Sequence, residues 1–419
     1  MSSRRTFFGQ ALGGTATLAL RGWRLTAKGP SSSSRVLGAN DRVRVGLIGA
    51  GGRGQEILKE AMRCPNTEAV AVADVYTRRH DEVKRFAPGI KAYTDFRRLL
   101  DDRSVDAVLI ATPQHLHALH FVPALQAGKD VYQEKTMAFS PDHAKRMRRA
   151  FEGSGRVVQV GIQSTSSAAV GKAREHAVPE RMGPITAIHS HMYRNAPYGG
   201  WMRRIPADCD PQHVDWNAFQ GETKPHPFDP DRLINWRFYW DYSGGNVFEN
   251  MVHQVGFWYK VLGFAVPRSV TMSGGNYLSP KMQVPDTMNV AMDQPENLLF
   301  TWNSGFYNHH YPEGDECVLG VKGTVIRDDE DVRYVAEGSG HGREAAAESA
   351  KSSGGGPDIV GSSQDYGHMQ NFVDCVRSRK QPNCPFEIGF RSAIACQMAI
   401  ASLRQGRAVR WDTKREEIV

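Results

Sequence analysis

A chain of 419 residues, 40% hydrophobic and 23% charged, has room for two globular domains and enough apolar side chains to fill their cores. Its 52 Lys and Arg against 45 Asp and Glu give a charge of +7, but much of the excess sits at the extreme N-terminus, at Arg4, Arg5, Arg21, Arg24, Lys28 and Arg35. No basic stripe with interleaved aromatics follows, which excludes a nucleic-acid surface, and no stable membrane span is expected.

The first residues, Ser3-Arg4-Arg5-Thr6-Phe7-Phe8, lead into a mildly apolar run of Gly, Ala and Leu ending at Leu20. This resembles a twin-arginine export signal, and the Gly/Pro/Ser-rich residues 28–40 read as a linker. Residues 1–40 are therefore set apart from the folded body, and the resemblance implies a periplasmic or otherwise exported protein. The six cysteines (Cys64, Cys209, Cys317, Cys375, Cys384, Cys396) lack C-x-x-C spacing, which excludes a zinc ribbon or redox motif and predicts mostly buried thiols.

Residues 43–48, Val-Arg-Val-Gly-Leu-Ile, form an apolar strand-like run that breaks into Gly49, Gly51 and Gly54 at G-x-G-x-x-G spacing, followed by helix-compatible residues 55–62. The spacing has a physical reason. Gly49 supplies a tight turn, Gly51 lets a pyrophosphate approach the backbone, and Gly54 lets the helix lie close on the sheet with its N–H groups facing the phosphates. A second run, residues 68–72, leads to Asp74, where an acid is placed to hydrogen-bond an adenosine ribose. Gly49, Ala50, Gly51, Gly52, Arg53, Gly54 and Asp74 are thus the first candidate cofactor-binding residues. Asp74 favours NAD over NADP because its carboxylate repels a 2′-phosphate, although Arg78 and Arg79 lie nearby.

The alternation continues with helices over 78–86 and 95–100, an apolar run over 106–111, a helix to 126 and a strand over 130–133. Ser140 and Pro141 read as N-cap and first helical residue of a helix to about 152, and residues 156–162 make the last strand. Repeated β-α units predict a Rossmann-type, doubly wound parallel sheet over residues 41–163.

The G-x-G-x-x-G loop, the run from Asp106 to His117 (DAVLIATPQHLH) and the tripeptide Glu134-Lys135-Thr136 together resemble the Gfo/Idh/MocA oxidoreductase family, with Thr136 where proline is usual. The resemblance reaches nearly all of the chain beyond residue 41. It implies a C-terminal α/β domain, residues 164–419, with an open, mainly antiparallel sheet for substrate binding and oligomerisation and late helices packing back on the first domain. Strand-like runs at 185–192, 268–273, 298–302, 316–319 and 324–327 fit that sheet. Between them lies an aromatic-rich insertion, residues 201–242, with Trp216, Trp236, Phe238, Tyr239, Trp240 and Tyr242. It reads first as core or dimer interface, and second as a platform for stacking on a sugar. Residues 336–364 read as a loop, and apolar helices follow at 366–376 and 388–403.

The resemblance carries site residues with it. Thr112, Pro113, His117, Glu134 and Lys135 follow strand ends, where ligands bind in open α/β sheets, and are expected around the cofactor. Lys135 is the expected proton relay. In Gly244-Gly245-Asn246-Val247-Phe248-Glu249-Asn250-Met251-Val252-His253, His253 matches the family histidine, Glu249 stands where aspartate is usual and Met251 where glycine is usual; farther on, Gly256 stands where a second aspartate is frequent. A helix here would put Glu249 and His253 at i and i+4 on one face, with His253 the general base and Glu249 its partner. His115 and His117 read as cofactor-shell or orienting groups, or as caps. His309, His310 and Glu313 have no tetrahedral spacing, and no metal is expected.

These expectations describe an NAD-dependent, or less readily NADP-dependent, oxidoreductase acting on a secondary hydroxyl of a sugar, polyol or glycoside, and a homo-oligomer. Export to a compartment without an NAD pool would require a tightly held cofactor and a redox-neutral cycle. The alternatives are a glycosidase working by oxidation and elimination, and a non-catalytic sugar-binding protein on the same fold.

Overall fold

The computed structural model describes residues 42–309, 316–328, 331–338 and 363–419. Residues 1–41, where an export signal is expected, His310, Glu313 and most of the 336–364 segment lie outside them.

The first sheet collects β1 (Val43–Ile48), β2 (Thr67–Ala73), β3 (Lys91–Tyr93), β4 (Ala107–Ile110), β5 (Asp130–Glu134) and β6 (Val158–Gly161). All pairings are parallel, in the order β3-β2-β1-β4-β5-β6. The strands read as almost unbroken apolar runs because both faces are covered. Val43, Val45, Leu47, Ala107 and Leu109 point into one apolar cluster and Ile48, Val108 and Ile110 into another. The crossovers are α1 (Gly52–Arg63), α2 (Thr77–Lys84), α3 (Phe96–Asp101), α4 (His117–Gln126) and α5 (Pro141–Phe151). On α1 the buried stripe is Ile57, Leu58 and Ala61, each large side chain contributing about 1.5–3 kcal/mol on burial. Ser140 caps α5, its Oγ accepting from His143 N, with Pro141 at the first helical position.

Helices α6 (Ala169–His176) and α7 (Pro179–Met182) lead into the second sheet, whose long first strand is β7 (Ile185–Asn195). The insertion holds short helices α8 (Trp216–Gln220) and α9 (Pro230–Ile234); then come α10 (Val252–Leu262), β8 (Ser269–Gly275), β9 (Thr287–Gln294), β10 (Leu298–Gly305), β11 (Tyr307–Asn308), β12 (Glu316–Gly320), β13 (Gly323–Asp328) and β14 (Asp331–Ala336). The chain closes with α11 (Ser363–Ser378), α12 (Phe386–Gln405), β15 (Val409–Asp412) and β16 (Glu417–Ile418). The strand order is β14-β13-β12-β7-β10-β9-β8-β15-β16, with β11 beside β7, and only β7 and β10 run parallel. The fold is a Rossmann doubly wound sheet followed by an α/β domain with a mainly antiparallel sheet.

Two late helices join the halves. Met369, Phe372 and Val373 of α11 enter the cluster around Val43, Val45 and Leu47. Gly389 of α12 lies so close to β6 that a Cβ there would stand 2.5 Å from Val160 Cγ2. None of the six cysteines forms a disulfide, and all but the half-buried Cys317 are buried.

Candidate active site

β1 ends at Ile48 and turns through Gly49 at φ +90°, where a Cβ would lie 2.7 Å from Thr112 N. At Gly54 it would lie 2.0 Å from Gly49 O, so α1 docks on the loop only because that side chain is absent. Above Gly51 and Gly52 the reverse holds, since a Cβ would meet nothing within 4 Å. The α1 N-terminus has no side-chain cap and no acid in its first turn. An open cradle at an uncapped helix start suits phosphate oxygens. It lies at the switch between β1 and β4, where this strand order places dinucleotides.

Asp74, just past β2, accepts from Ala50 N through Oδ2 at 2.6 Å and from Tyr76 N through Oδ1 at 2.9 Å. The bonds fix the carboxylate against the glycine loop while each oxygen keeps a lone pair for a ribose hydroxyl. Burial pushes its pKa up against the effect of those two N–H groups. Arg53 turns away from the cradle, and its Nε donates to Glu134 Oε1 at 2.9 Å. Glu134, 4% exposed, also accepts from Lys135 N at 3.0 Å. Arg78 and Arg79 are engaged as well, Arg78 with Glu82 and Asp208 at 3.0 Å each and Arg79 with Glu82 at 2.7 Å.

Lys135 leaves the end of β5 and its Nζ donates to Glu249 Oε2 at 2.7 Å. Glu249 Oε1 accepts from Gln114 Nε2 at 2.7 Å, and Arg237 Nε stands 3.3 Å from Oε2. Burial opposes the charge on Glu249, but Arg237 and Lys135 prevail and hold its pKa down at about 2. It is an anion throughout the working range. The Lys135–Thr136 peptide is cis, and Thr136 Oγ1 donates to Phe248 O at 2.6 Å.

His253 is half-buried at the start of α10, and its ring makes no hydrogen bond among the described residues. Burial and then Lys135 lower its pKa to about 3, so the imidazole is neutral. The expected helical pairing of Glu249 with His253 does not form. Residues Val247–Met251 make a π-helical turn, and Glu249 bonds Lys135 instead. The absence of a second acid at Gly256 has a steric reason, since a Cβ there would stand 2.8 Å from Ile162 Cδ1.

The remaining candidates are structural in their contacts. His117, 1% exposed, places Nδ1 2.8 Å from Thr136 O and Nε2 2.9 Å from Thr112 O, bracing the two strand-end loops and leaving no ring nitrogen for a ligand. His115 Nε2 lies 2.7 Å from Phe219 O, and the ring packs on Phe219 and Tyr242, which pins the insertion. Thr112 Oγ1 is 3.2 Å from His120 Nδ1, and Pro113 opens the turn Gln114–Leu116. The insertion aromatics mostly serve as core: Phe219 and Tyr242 fill one small cluster and Phe238 another. No group of three or more His, Cys, Asp or Glu able to hold a metal occurs among the described residues. Sequence reasoning missed Arg237 and Arg194, whose only signal was an arginine set among aromatics (Trp236-Arg237-Phe238, Tyr193-Arg194).

Residues 43–162 match the family model GFO_IDH_MocA, described as an oxidoreductase family with an NAD-binding Rossmann fold. They span the whole parallel sheet, from β1 to β6. An inositol 2-dehydrogenase of Rubrobacter xylanophilus is 36% identical over 127 residues, 30% of this chain and 36% of that one. A 1-carboxy-3-chloro-3,4-dihydroxycyclohexa-1,5-diene dehydrogenase of Comamonas testosteroni is 28% identical over 156 residues, 37% of this chain and 39% of that one. The chain thus spans well under half the length of these two curated relatives. The fold is shared more widely. The WlbA dehydrogenase of Bordetella pertussis, solved with NADH and UDP-GlcNAcA, superimposes with a TM-score of 0.68 at 18% identity, covering 88% of this chain and 99% of that one.

Proposed function

We propose that the protein is an NAD-dependent oxidoreductase acting on a secondary hydroxyl of a sugar, polyol or glycoside. The observation that carries this reading is the meeting of Lys135 and Glu249 beside His253, whose ring nitrogens are unbonded, at the carboxyl end of β5 next to the phosphate cradle. The names of similar proteins, an inositol dehydrogenase and a dehydrogenase solved with a nucleotide sugar, agree with it.

The residues fit a dinucleotide, with Gly51 and Gly52 leaving space for the pyrophosphate and Asp74 offering both oxygens to the ribose. NAD is favoured over NADP because Arg78 and Arg79, the cations nearest Asp74 in the chain, are already paired with Glu82 and Asp208. A bound nicotinamide supplies a hydride acceptor. An imidazole nitrogen of His253 takes the hydroxyl proton, and Lys135 Nζ, held by Glu249, donates a hydrogen bond to the same oxygen as its charge grows. Gln114 keeps Glu249 in place while this happens.

The N-terminal Arg4-Arg5 pattern supports export, and export favours a retained cofactor and a redox-neutral cycle. The test is made on protein purified from the periplasm. Its absorbance is followed in the reduced-nicotinamide band while sugars and glycosides are added without external cofactor. A band that rises and then falls as product appears is the expected result, and aglycone release would identify elimination. Protein without nucleotide and without response to added NAD or NADP would overturn the proposal and favour the sugar-binding alternative.

A further inference from the structure

Two cations share the carboxylate of Glu249, and a third feels its charge. Lys135 Nζ donates to it at 2.7 Å and Arg237 Nε stands 3.3 Å away on the same oxygen. The third is Arg194 on β7, whose Nη2 donates to Asn250 Oδ1 at 2.8 Å and Nη1 to Gly199 O at 3.2 Å. Both acceptors are neutral, and Glu249 is the countercharge that opposes the lowering of the Arg194 pKa by burial. The neighbouring carboxylate, Glu134, is engaged by Arg53. Arg53 and Glu134 belong to a separate group with Glu56 and Glu60, so among the described residues Lys135, Arg237 and Arg194 are left with Glu249 as their shared countercharge, and His253 is neutral. Partly buried cations that outnumber their anions favour a ligand that brings negative charge.

Arg237 is built to receive it. Its guanidinium lies over the Trp236 ring, 4.3 Å from the centroid, which fixes the plane of the fork. Its Nε is buried towards Glu249, while Nη1 and Nη2 have no hydrogen-bond partner among the described residues, and 30% of the side chain is exposed. A planar fork with two open donors matches a carboxylate in two parallel hydrogen bonds. Building on the oxidoreductase reading above, we propose that Arg237 is a carboxylate subsite, and that the substrate is a sugar acid rather than a neutral polyol.

The experiment is equilibrium binding, followed by tryptophan fluorescence on the full protein with its nucleotide content measured beforehand. The panel is glucuronate, galacturonate and gluconate against glucose, galactose, glucuronamide and glucose 6-phosphate. At least one acid is expected to bind about tenfold or more tighter than its neutral counterpart, with the preference shrinking as salt is raised. Arg237→Ala should remove that preference by about tenfold or more without changing nucleotide content, and Arg237→Lys should restore part of it. If the alanine variant does not fold, the salt dependence and the acid-to-amide ratio of the unaltered protein decide the matter. Equal or tighter binding of neutral sugars, preference for the phosphate ester, no sugar binding at all, or an unchanged ratio in Arg237→Ala would overturn the subsite. Turnover of a neutral sugar by a nucleotide-loaded protein would sink the subsite and leave the oxidoreductase standing; absence of nucleotide binding would remove both.

Discussion

Lys135 reaches Glu249 from β5, and the carboxylate is held on its other oxygen by Gln114, so the ammonium has one direction in which to point. That arrangement makes Lys135 a hydrogen-bond donor of fixed position instead of a mobile surface cation. Lys135→Gln keeps polarity but removes the charge that would stabilise a developing oxyanion. Turnover is expected to fall about 10²–10⁴-fold while nucleotide content stays unchanged, as single-turnover kinetics and the absorbance of the purified protein would show. A loss of nucleotide in parallel with turnover would assign Lys135 to cofactor binding alone.

The glycine loop and the insertion act as whole elements. In the loop the same change has opposite meanings at two positions. Gly54→Ala would drive a Cβ into Gly49 O, so both stability and nucleotide binding should fall. Gly51→Ala places its methyl in open space, so the melting temperature should hold while nucleotide affinity drops, which calorimetry can separate. The insertion is strapped across two loops beside the cofactor cradle. Thr77 N donates to His213 O at 2.9 Å, Asp215 N donates to Val75 O at 2.8 Å, and Tyr76 and Arg78 both bond Asp208. At its other end it is pinned through Phe219 O and His115. Asp208→Ala should cost little stability, because the pair it breaks is exposed, yet speed the release of bound nucleotide in a stopped-flow displacement assay. An unchanged release rate would mean that the strap plays no part in retention.

Across the whole molecule one apolar cluster runs from Val108 and Ile110 of the first sheet, through α12, to Met292 and Trp302 of the second. Histidines held neutral inside this body give stability a defined pH dependence. His115, His120 and His253 are lowered by burial to about 3, and His368 to about 4, from 6.5. Below pH 6.5 the unfolded chain takes up protons that the folded protein refuses, so stability is full above that pH and falls as the medium is acidified towards these lowered values. Glu249 adds to the loss only below its ordinary 4.5, as its own proton is taken up towards pH 2. The thermal midpoint should be flat in neutral buffer and drop steadily below about pH 6.5. A midpoint that rises on acidification to about pH 5 would show that these imidazoles are charged in the fold.

The parallel sheet was legible in the sequence because its strands are buried on both faces and its glycines sit where only a missing Cβ allows the turn and the helix contact. Strands of the second sheet were partly legible. β9, Thr287–Gln294, was overlooked although its burial alternates residue by residue, because methionine, asparagine and aspartate blur an alternation otherwise carried by β-branched residues. Local sequence also marked Lys135, Glu249 and His253, since their motifs are contiguous. What only the tertiary structure decided is which of them meet. Glu249 met Lys135 rather than His253, and Arg237 and Gln114 reached it across more than a hundred residues of chain or from a separate turn of the insertion. Such pairings depend on backbone rotation and on the packing of distant elements, and charge follows whichever partner that packing brings within reach.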